Sequence, residues 1–416
     1  MKKFILSFTI FVLLASSFSC ARFAYVENRR GYRNLRDPYV RVRIHQEKEV
    51  RLECSGPFEL YCIKANGEAV DYFSNSALIM KLQNGSVDVF QETGLPLEKS
   101  VSRVVASPKE QSSYIRIDSA PYRGVAEVIV EDTILSVVNA IYMEDYLKGV
   151  LPPEIGKHGA EELEALKAQA VASRTYAFSR FRRNPARRYD MVNEVADQVY
   201  TGMRGEDKWT NRAIDETRGE VLMSGGNLIT AYYHSTCGGN TDNIEDVWDR
   251  QPVSYLKGAD DDAYCTWSKF YSWSFEWGVS DLSTNIRKYL KAKGRLNGDD
   301  EFNIRDIKIV DRLSSGRIKI LKIVTEVDEY LLFKDQIRWA ILRPDREGAI
   351  LPSTNFEVSL NRDNNGVLTS VVFEGFGNGH GVGMCQCGAL GRARVGQTYR
   401  TILSTYYRNT KITNLY

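Results

Sequence analysis

At 416 residues, with 43% hydrophobic and 26% charged side chains, the chain is long and apolar enough to bury one elaborate core or two to three smaller ones, which excludes a disordered polypeptide. Its 55 Lys and Arg against 53 Asp and Glu leave a net charge of only +2, so nucleic acid is not the partner that overall charge suggests. No stretch approaches the roughly 18 uninterrupted apolar residues of a membrane span.

The first residues, MKKFILSFTIFVLLASSFSC, run from two lysines through an apolar stretch to small residues ending at Cys20. This is the layout of an export signal, and Cys20 stands where a bacterial lipoprotein is cut and acylated; plain secretion and an uncleaved anchor are the alternatives. The expected order is a lipoprotein-type signal over 1–20 and a basic linker over 21–38. A lipid on Cys20 would hold the chain at the periplasmic face of a bacterial membrane. The charged strip from Arg22 to Arg43 reads as a tether whose arginines are solvated. Export also permits disulfides. Cys54 and Cys62 flank SGPFELY and could close a small loop, whereas Cys385 and Cys387 are too close in sequence to pair with each other.

From Tyr39 to Val138 the pattern alternates, as in VRVRI, VRLEC and GVAEVIV, with turn signals at Asn66-Gly67 and Asn84-Gly85. A β-rich region over 39–136 follows. Beyond Met143, Pro152 and Pro153 fix φ and predict a stiff loop carrying Glu154. The next segment, AEELEALKAQAVASRTYAFSRFRR, reads as one helix, with Glu161, Glu162 and Glu164 in its first turn and Arg180, Arg182 and Arg183 at its end. At about 100° per residue, Leu163, Leu166, Ala170, Ala177 and Phe181 form an apolar stripe with Arg174 in its middle. A guanidinium there demands a partner: a core carboxylate, or a functional acid or substrate oxygen.

Two later segments concentrate chemistry. ITAYYHSTCGGNTDNIEDVWD joins Tyr232, Tyr233 and His234 to Gly238 and Gly239, whose freedom at positive φ allows close backbone approach. YLKGADDD places Tyr255 and Lys257 on opposite faces if extended, or together if the chain turns. A metal held by His234, Cys237, Cys265 and His380 ranks below a Cys237–Cys265 disulfide or a buried thiol, because the strong zinc spacings are missing. After a helix at DLSTNIRKYLKAK come strands at NIRDIKIV, RIKILKIVTEV and EYLLF, a short helix near DQIRWAILR and two strand-like runs from Phe356. GFGNGHGVGMCQCGALG then holds seven glycines between Gly375 and Gly391, with His380 and Gln386 as its polar side chains. It lacks G-K-[ST] and G-x-G-x-x-G, so it reads as a bending loop that can lie against a ligand and not as a phosphate loop. A closing helix near TYRTILSTYY ends the sequence, and nothing along it calls for a cofactor.

Taken in order, VVNAIYMEDYLKGVLPPEI, LEALKAQAVASRTYAF, DQVYTG, YYHSTCGGNT with EDVW, YLKGADD and GHGVGMCQCGALGRA resemble the SpoIID/LytB family from about Val137 to the C-terminus. Members of that family act on bacterial peptidoglycan. One branch consists of lytic transglycosylases that cut glycan strands stripped of stem peptides, and the other was described as amidase enhancers. The resemblance implies an α+β chain: the β-rich N-terminal region, then a two-lobed catalytic domain over 137–416 with a long substrate groove and a β-rich insertion at about 281–373. It implies peptidoglycan glycan strands as substrate, a peptidoglycan amidase as a possible partner, and no nucleic acid. The acid of the family's motif corresponds to Glu154 in PPEI, its arginine to Arg174, and its Tyr and Lys to Tyr255 and Lys257. Gln169, Tyr233, His234, Gly238, Gly239, His380 and Gln386 are then the expected substrate contacts. Pro153, Ile155 and Cys387 depart from the family pattern in the groove while leaving Glu154 in place. A hydrolytic glycosidase normally needs two carboxylates, whereas a lytic transglycosylase works with one. Glu154 therefore needs a raised pKa, which apolar surroundings supply and a close Arg174 would oppose. The competing expectation is a glycan-binding or amidase-enhancing module without its own chemistry.

Overall fold

The computed structural model describes residues 38–110, 112–181, 187–194, 197–296 and 302–416; the signal segment with Cys20 and the linker lie outside the described residues. Among the described residues no helix is long and apolar enough to cross a membrane. The chain is a mixture of helices and strands that divides into two compact units. One runs to Lys157 and takes up Ala177–Gly219 and Leu415–Tyr416; the other comprises His158–Tyr176 and Glu220–Asn414.

The first unit holds the strands before residue 143 together with the helices Met143–Ile155 and Lys208–Glu216. Its strands form a twelve-stranded sheet in which the strand Tyr39–Glu47 lies antiparallel to Ile134–Tyr142, and that strand to Val125–Glu131. The alternation seen in VRVRI is met: Val40, Val42 and Ile44 are buried, and the arginines between them face the other way. Arg41 and Arg43 are therefore strand residues and not part of a solvated tether. Arg41 grips the Asp190 carboxylate with two donors, and Arg43 reaches Glu131 and Tyr189. The thirteen-residue strand Pro96–Pro108 binds the sheet together by pairing with Phe58–Lys64, Ser86–Gln91 and Val125–Glu131. Asn84 and Gly85, both at positive φ, make the two-residue hairpin between Leu78–Gln83 and Ser86–Gln91. Cys54 and Cys62 sit on separate strands and are not joined by a disulfide, so none closes the loop between them.

Directly after this sheet comes the helix Met143–Ile155, which contains both Pro152 and Pro153. The expected stiff loop at Glu154 is thus the last turn of a helix, stopped by Gly156 at φ 92°. The next helix, Leu163–Arg180, is preceded by the 3-10 turn Ala160–Glu162. It is enclosed on every side between Ala168 and Ala177, so Arg174 does not interrupt a stripe; it is one of several polar groups, with Gln169, Ser173 and Thr175, inside a helix buried all round.

The second unit holds several small sheets. Strands Ile304–Arg312, Ile318–Thr325 and Glu329–Phe333 form one, and Ser272–Gly278, Leu368–Phe376 and Phe356–Arg362 another. Leu282, Ile286 and Leu290 of the helix Val279–Ala292 pack with Ile307, Leu321, Phe356 and Phe373 into a core of their own, where the sequence suggested a β-rich insertion. The glycine-rich segment is less of a loop than its composition implies, because the helix Gln386–Arg394 begins within it. Gly388 and Gly391 are helical residues under close approach. A Cβ on Gly388 would stand 1.9 Å from the Asp261 carboxylate, and one on Gly391 2.0 Å from the Tyr264 carbonyl.

One buried ion pair, Arg317 Nε to Asp242 Oδ2 at 2.8 Å, joins the strand Ile318–Thr325 to the glycine loops, since Arg317 also donates to the carbonyls of Cys237 and Gly379. Removing one partner leaves a charge uncompensated, so Arg317→Met should cost about 3–5 kcal/mol in a denaturant titration. Asp242→Leu combined with Arg317→Met should recover part of that loss; a double variant no more stable than the single one would show that the carbonyl contacts, and not the charge pair, matter.

Candidate functional site

Glu154 lies in the proline-bearing turn of its helix, half-buried, and its Oε1 accepts a 2.7 Å hydrogen bond from the Val199 amide. Proline has no N–H, so Pro153 cannot bond the Gly149 carbonyl as a helix residue would. Thr201 replaces it, donating from both its amide (3.1 Å) and its hydroxyl (3.2 Å) to that carbonyl. Gly149 is required for this approach: a Cβ there would meet the Tyr200 ring at 2.5 Å and the Gly202 carbonyl at 2.7 Å. Tyr146 O–H donates to buried Gln198, and Tyr200 O–H to Asn139 of the sheet. The DQVYTG segment is therefore clamped along the helix. Two influences act on the Glu154 carboxyl: burial pushes its pKa up and the Val199 N–H pulls it down. Burial wins, raising it from 4.5 to about 7.

The remaining candidates belong to the second unit. Arg174 is fully buried and donates to the Glu220 carbonyl at 3.1 Å. Gln169 and Gln386 meet side chain to side chain at 3.4 Å, with Gln169 also donating to Ser173. Tyr233 and His234 form a short strand parallel to Met384–Cys385, which brings the HSTC and GMCQC segments together. The His234 ring is buried and contacts the Val382 carbonyl through Nδ1, while its Nε2 meets no hydrogen-bond partner among the described residues. His380 lies 5.4 Å from it, ring to ring, and packs against Trp248. Burial, more than the neighbouring charges, drives both imidazoles toward the neutral form. Gly238 and Gly239 adopt φ of 80° and 115°.

Tyr255 and Lys257 flank a turn, both half-buried, and Lys257 forms an ion pair with Glu245. Lys257 also lines a polar cleft of about 480 Å³ with Asn240, Asp242, Asn243, Asp260 and Arg408. A second cleft of about 630 Å³ is walled by Trp248, Tyr289, Phe333 and Trp339. Cys237 and Cys265 bring their sulfurs to 3.5 Å without a bond, and His234 stands apart from them as a ligand.

Sequence reasoning missed the Val199 amide, Thr201 and Arg317. A backbone donor leaves no signature in side-chain identity. The only available signal was DQVYTG itself, quoted for its resemblance without a role.

The family described as Stage II sporulation protein matches residues 131–223, and a domain of unknown function (DUF8618) matches residues 261–383. An uncharacterized protein of Brachyspira hyodysenteriae is 29% identical over 90% of this chain and 92% of its own length. The amidase enhancer of Bacillus subtilis is 31% identical over 64% of this chain, which corresponds to 40% of that protein. Stage II sporulation protein D of Bacillus subtilis is 27% identical over 81% of this chain and 92% of its own length.

Because burial lifts the Glu154 pKa to about 7, the folded chain keeps a proton that the unfolded chain releases above 4.5, and folding stability falls as pH rises between those values. Glu154→Gln removes that penalty. Its melting temperature should exceed that of the parent at pH above about 7, with the gap closing below pH about 5. Equal melting temperatures across that range would mean that the carboxyl is not desolvated.

Proposed function

This chain belongs to the SpoIID/LytB family, and we propose that it is a peptidoglycan lytic transglycosylase with Glu154 as its single acid and base. The observation that carries the reading is the Glu154 carboxyl itself: it is half-buried, hydrogen-bonded to one amide, and raised to about 7, so near neutrality it can both give and take a proton. In the proposed reaction Glu154 protonates the glycosidic oxygen between MurNAc and GlcNAc as the C1–O bond breaks. The carboxylate then accepts the proton of the muramyl C6 hydroxyl as O6 bonds to C1, which leaves a 1,6-anhydro end and restores the acid. The nucleophile is part of the substrate, so no water has to be held and activated.

Glycan strands free of stem peptides are the proposed substrate. In the second unit, the polar cleft lined by Lys257 offers amide, carboxylate and ammonium groups suited to sugar hydroxyls. Arg174, with a donor on the Glu220 carbonyl, is proposed as a positioning residue. A substrate outside the cytoplasm also requires export, for which the N-terminal sequence with Cys20 is suited. A second reading, enhancement of a peptidoglycan amidase, is favoured by the identity to the amidase enhancer.

Purified protein incubated with denuded glycan strands should release anhydro-ended fragments detectable by mass spectrometry. Glu154→Gln should lower kcat/KM by about a hundredfold or more. The parent's kcat/KM should decline as pH rises through about 7, because the acid must start protonated. Reducing ends in place of anhydro ends would point to hydrolysis. Uncleaved glycan together with amidase stimulation that survives Glu154→Gln would establish the second reading.

A further inference from the structure

A cluster in the second unit lies outside the proposed chemistry of Glu154. Cys237, Asp261, Cys265 and Cys385 bring one ligand atom each to within 4.8 Å of one another, and all four side chains are essentially inaccessible to solvent. They come from three separate segments: the HSTCGG turn, the turns around residues 261–266, and the residue that caps the helix Gln386–Arg394. Four thiolate or carboxylate donors about one point match the tetrahedral set that holds zinc, whose Zn–S bonds of about 2.3 Å separate neighbouring sulfurs by a little under 4 Å.

The surroundings treat these atoms as ligands. The amides of Gly238 and Gly239 are directed at the Cys265 sulfur. Those of Cys237 and Gly388 reach the Cys385 sulfur, each at 3.2 Å. N–H groups aimed at sulfur stabilise the electron-rich thiolate that a metal binds. Asp261 is oriented in the same way as a metal-ligating carboxylate usually is: Oδ1 is held by Arg392 Nε at 3.1 Å and by the Tyr406 hydroxyl at 2.5 Å, while Oδ2 faces the Cys237 sulfur at 3.2 Å. A Cys237–Cys265 disulfide would use two of the four donors and leave the convergence of Cys385 and Asp261 on the same point unaccounted for.

We propose that Cys237, Asp261, Cys265 and Cys385 bind one Zn²⁺ ion that staples the glycine-rich segments together. With four protein ligands and no access for water the ion is structural, and it supplies no open position for catalysis. Its binding sends the thiol protons to solvent and ties the turn after His234 to the helix that carries Gln386.

The test is metal content of the full chain purified without chelator. One zinc per chain by elemental analysis is expected, and replacement by Co²⁺ should give tetrahedral d–d bands with thiolate charge-transfer absorption. Cys265→Ala should lose the metal, whereas Cys387→Ala, which removes a thiol outside the cluster, should keep it. Stripping the metal should lower the melting temperature and re-addition should restore it. Should Cys265→Ala not fold, the zinc stoichiometry and cobalt spectrum of the parent decide alone. Either of two results overturns the proposal: an intact mass lower by two hydrogens with a peptide linking Cys237 to Cys265 and no metal, or free thiols that take up neither zinc nor cobalt.

Discussion

The first unit turns on an exchange of hydrogen-bond donors. Two prolines in the last turn of Met143–Ile155 remove helix amides, and a helix so treated keeps its shape only if another segment serves the abandoned carbonyls. Residues 198–202 do this for the carbonyl that Pro153 leaves unbonded, with Thr201 bonding the Gly149 carbonyl and Tyr200 fitted against a glycine that cannot be larger. The same segment that repairs the helix delivers the Val199 amide to Glu154 and covers part of its carboxyl. Structure and acidity are therefore set by one strip of chain. The dry surroundings that the repair creates outweigh the single N–H that would otherwise hold the group ionised.

Glycine does different work in the second unit. At Gly383 a Cβ would stand 2.0 Å from the Tyr232 carbonyl, a contact that only a bare backbone can make, and Gly388 and Gly391 repeat this inside a helix. The first approach seats the GMCQC segment against the strand Tyr233–His234, and the other two seat its helix on the turns around residues 261–264. Gln386 reaches Gln169, Cys385 reaches Cys237, and the His234 and His380 rings come to lie side by side. The convergence of sulfur and carboxylate ligands follows from this backbone packing and not from any spacing along the chain, which is why no zinc signature is visible in the sequence.

Legibility followed the physics of each element. Period-two alternation announced the N-terminal strands because one face of each is buried, and the Asn84-Gly85 turn declared itself through the only residues that readily accept its φ. The helix around Arg174 was visible from its capping charges, but its stripe was misleading: every face is covered, so periodicity carries no information about direction. Glu154 was found as a residue and misplaced as a loop, since local rules penalise proline in a helix and cannot see a donor some fifty residues later. Arg317 and Asp242 are far apart in sequence and ordinary in composition; only their burial together marks them.

A lone carboxyl that must donate and then recover the same proton cannot sit beside a fixed cation, which would hold it ionised and leave nothing to give. An arginine in contact with Glu154 would thus argue against the chemistry that the family resemblance suggests. Among the described residues the influences resolved at Glu154 are burial and one amide. A single amide donor also suits a group that alternates between two protonation states: it can bond one oxygen of the carboxylate or of the acid, leaving the other free to exchange the proton. The arrangement favours neither form strongly near neutrality, which is what a residue acting first as acid and then as base requires.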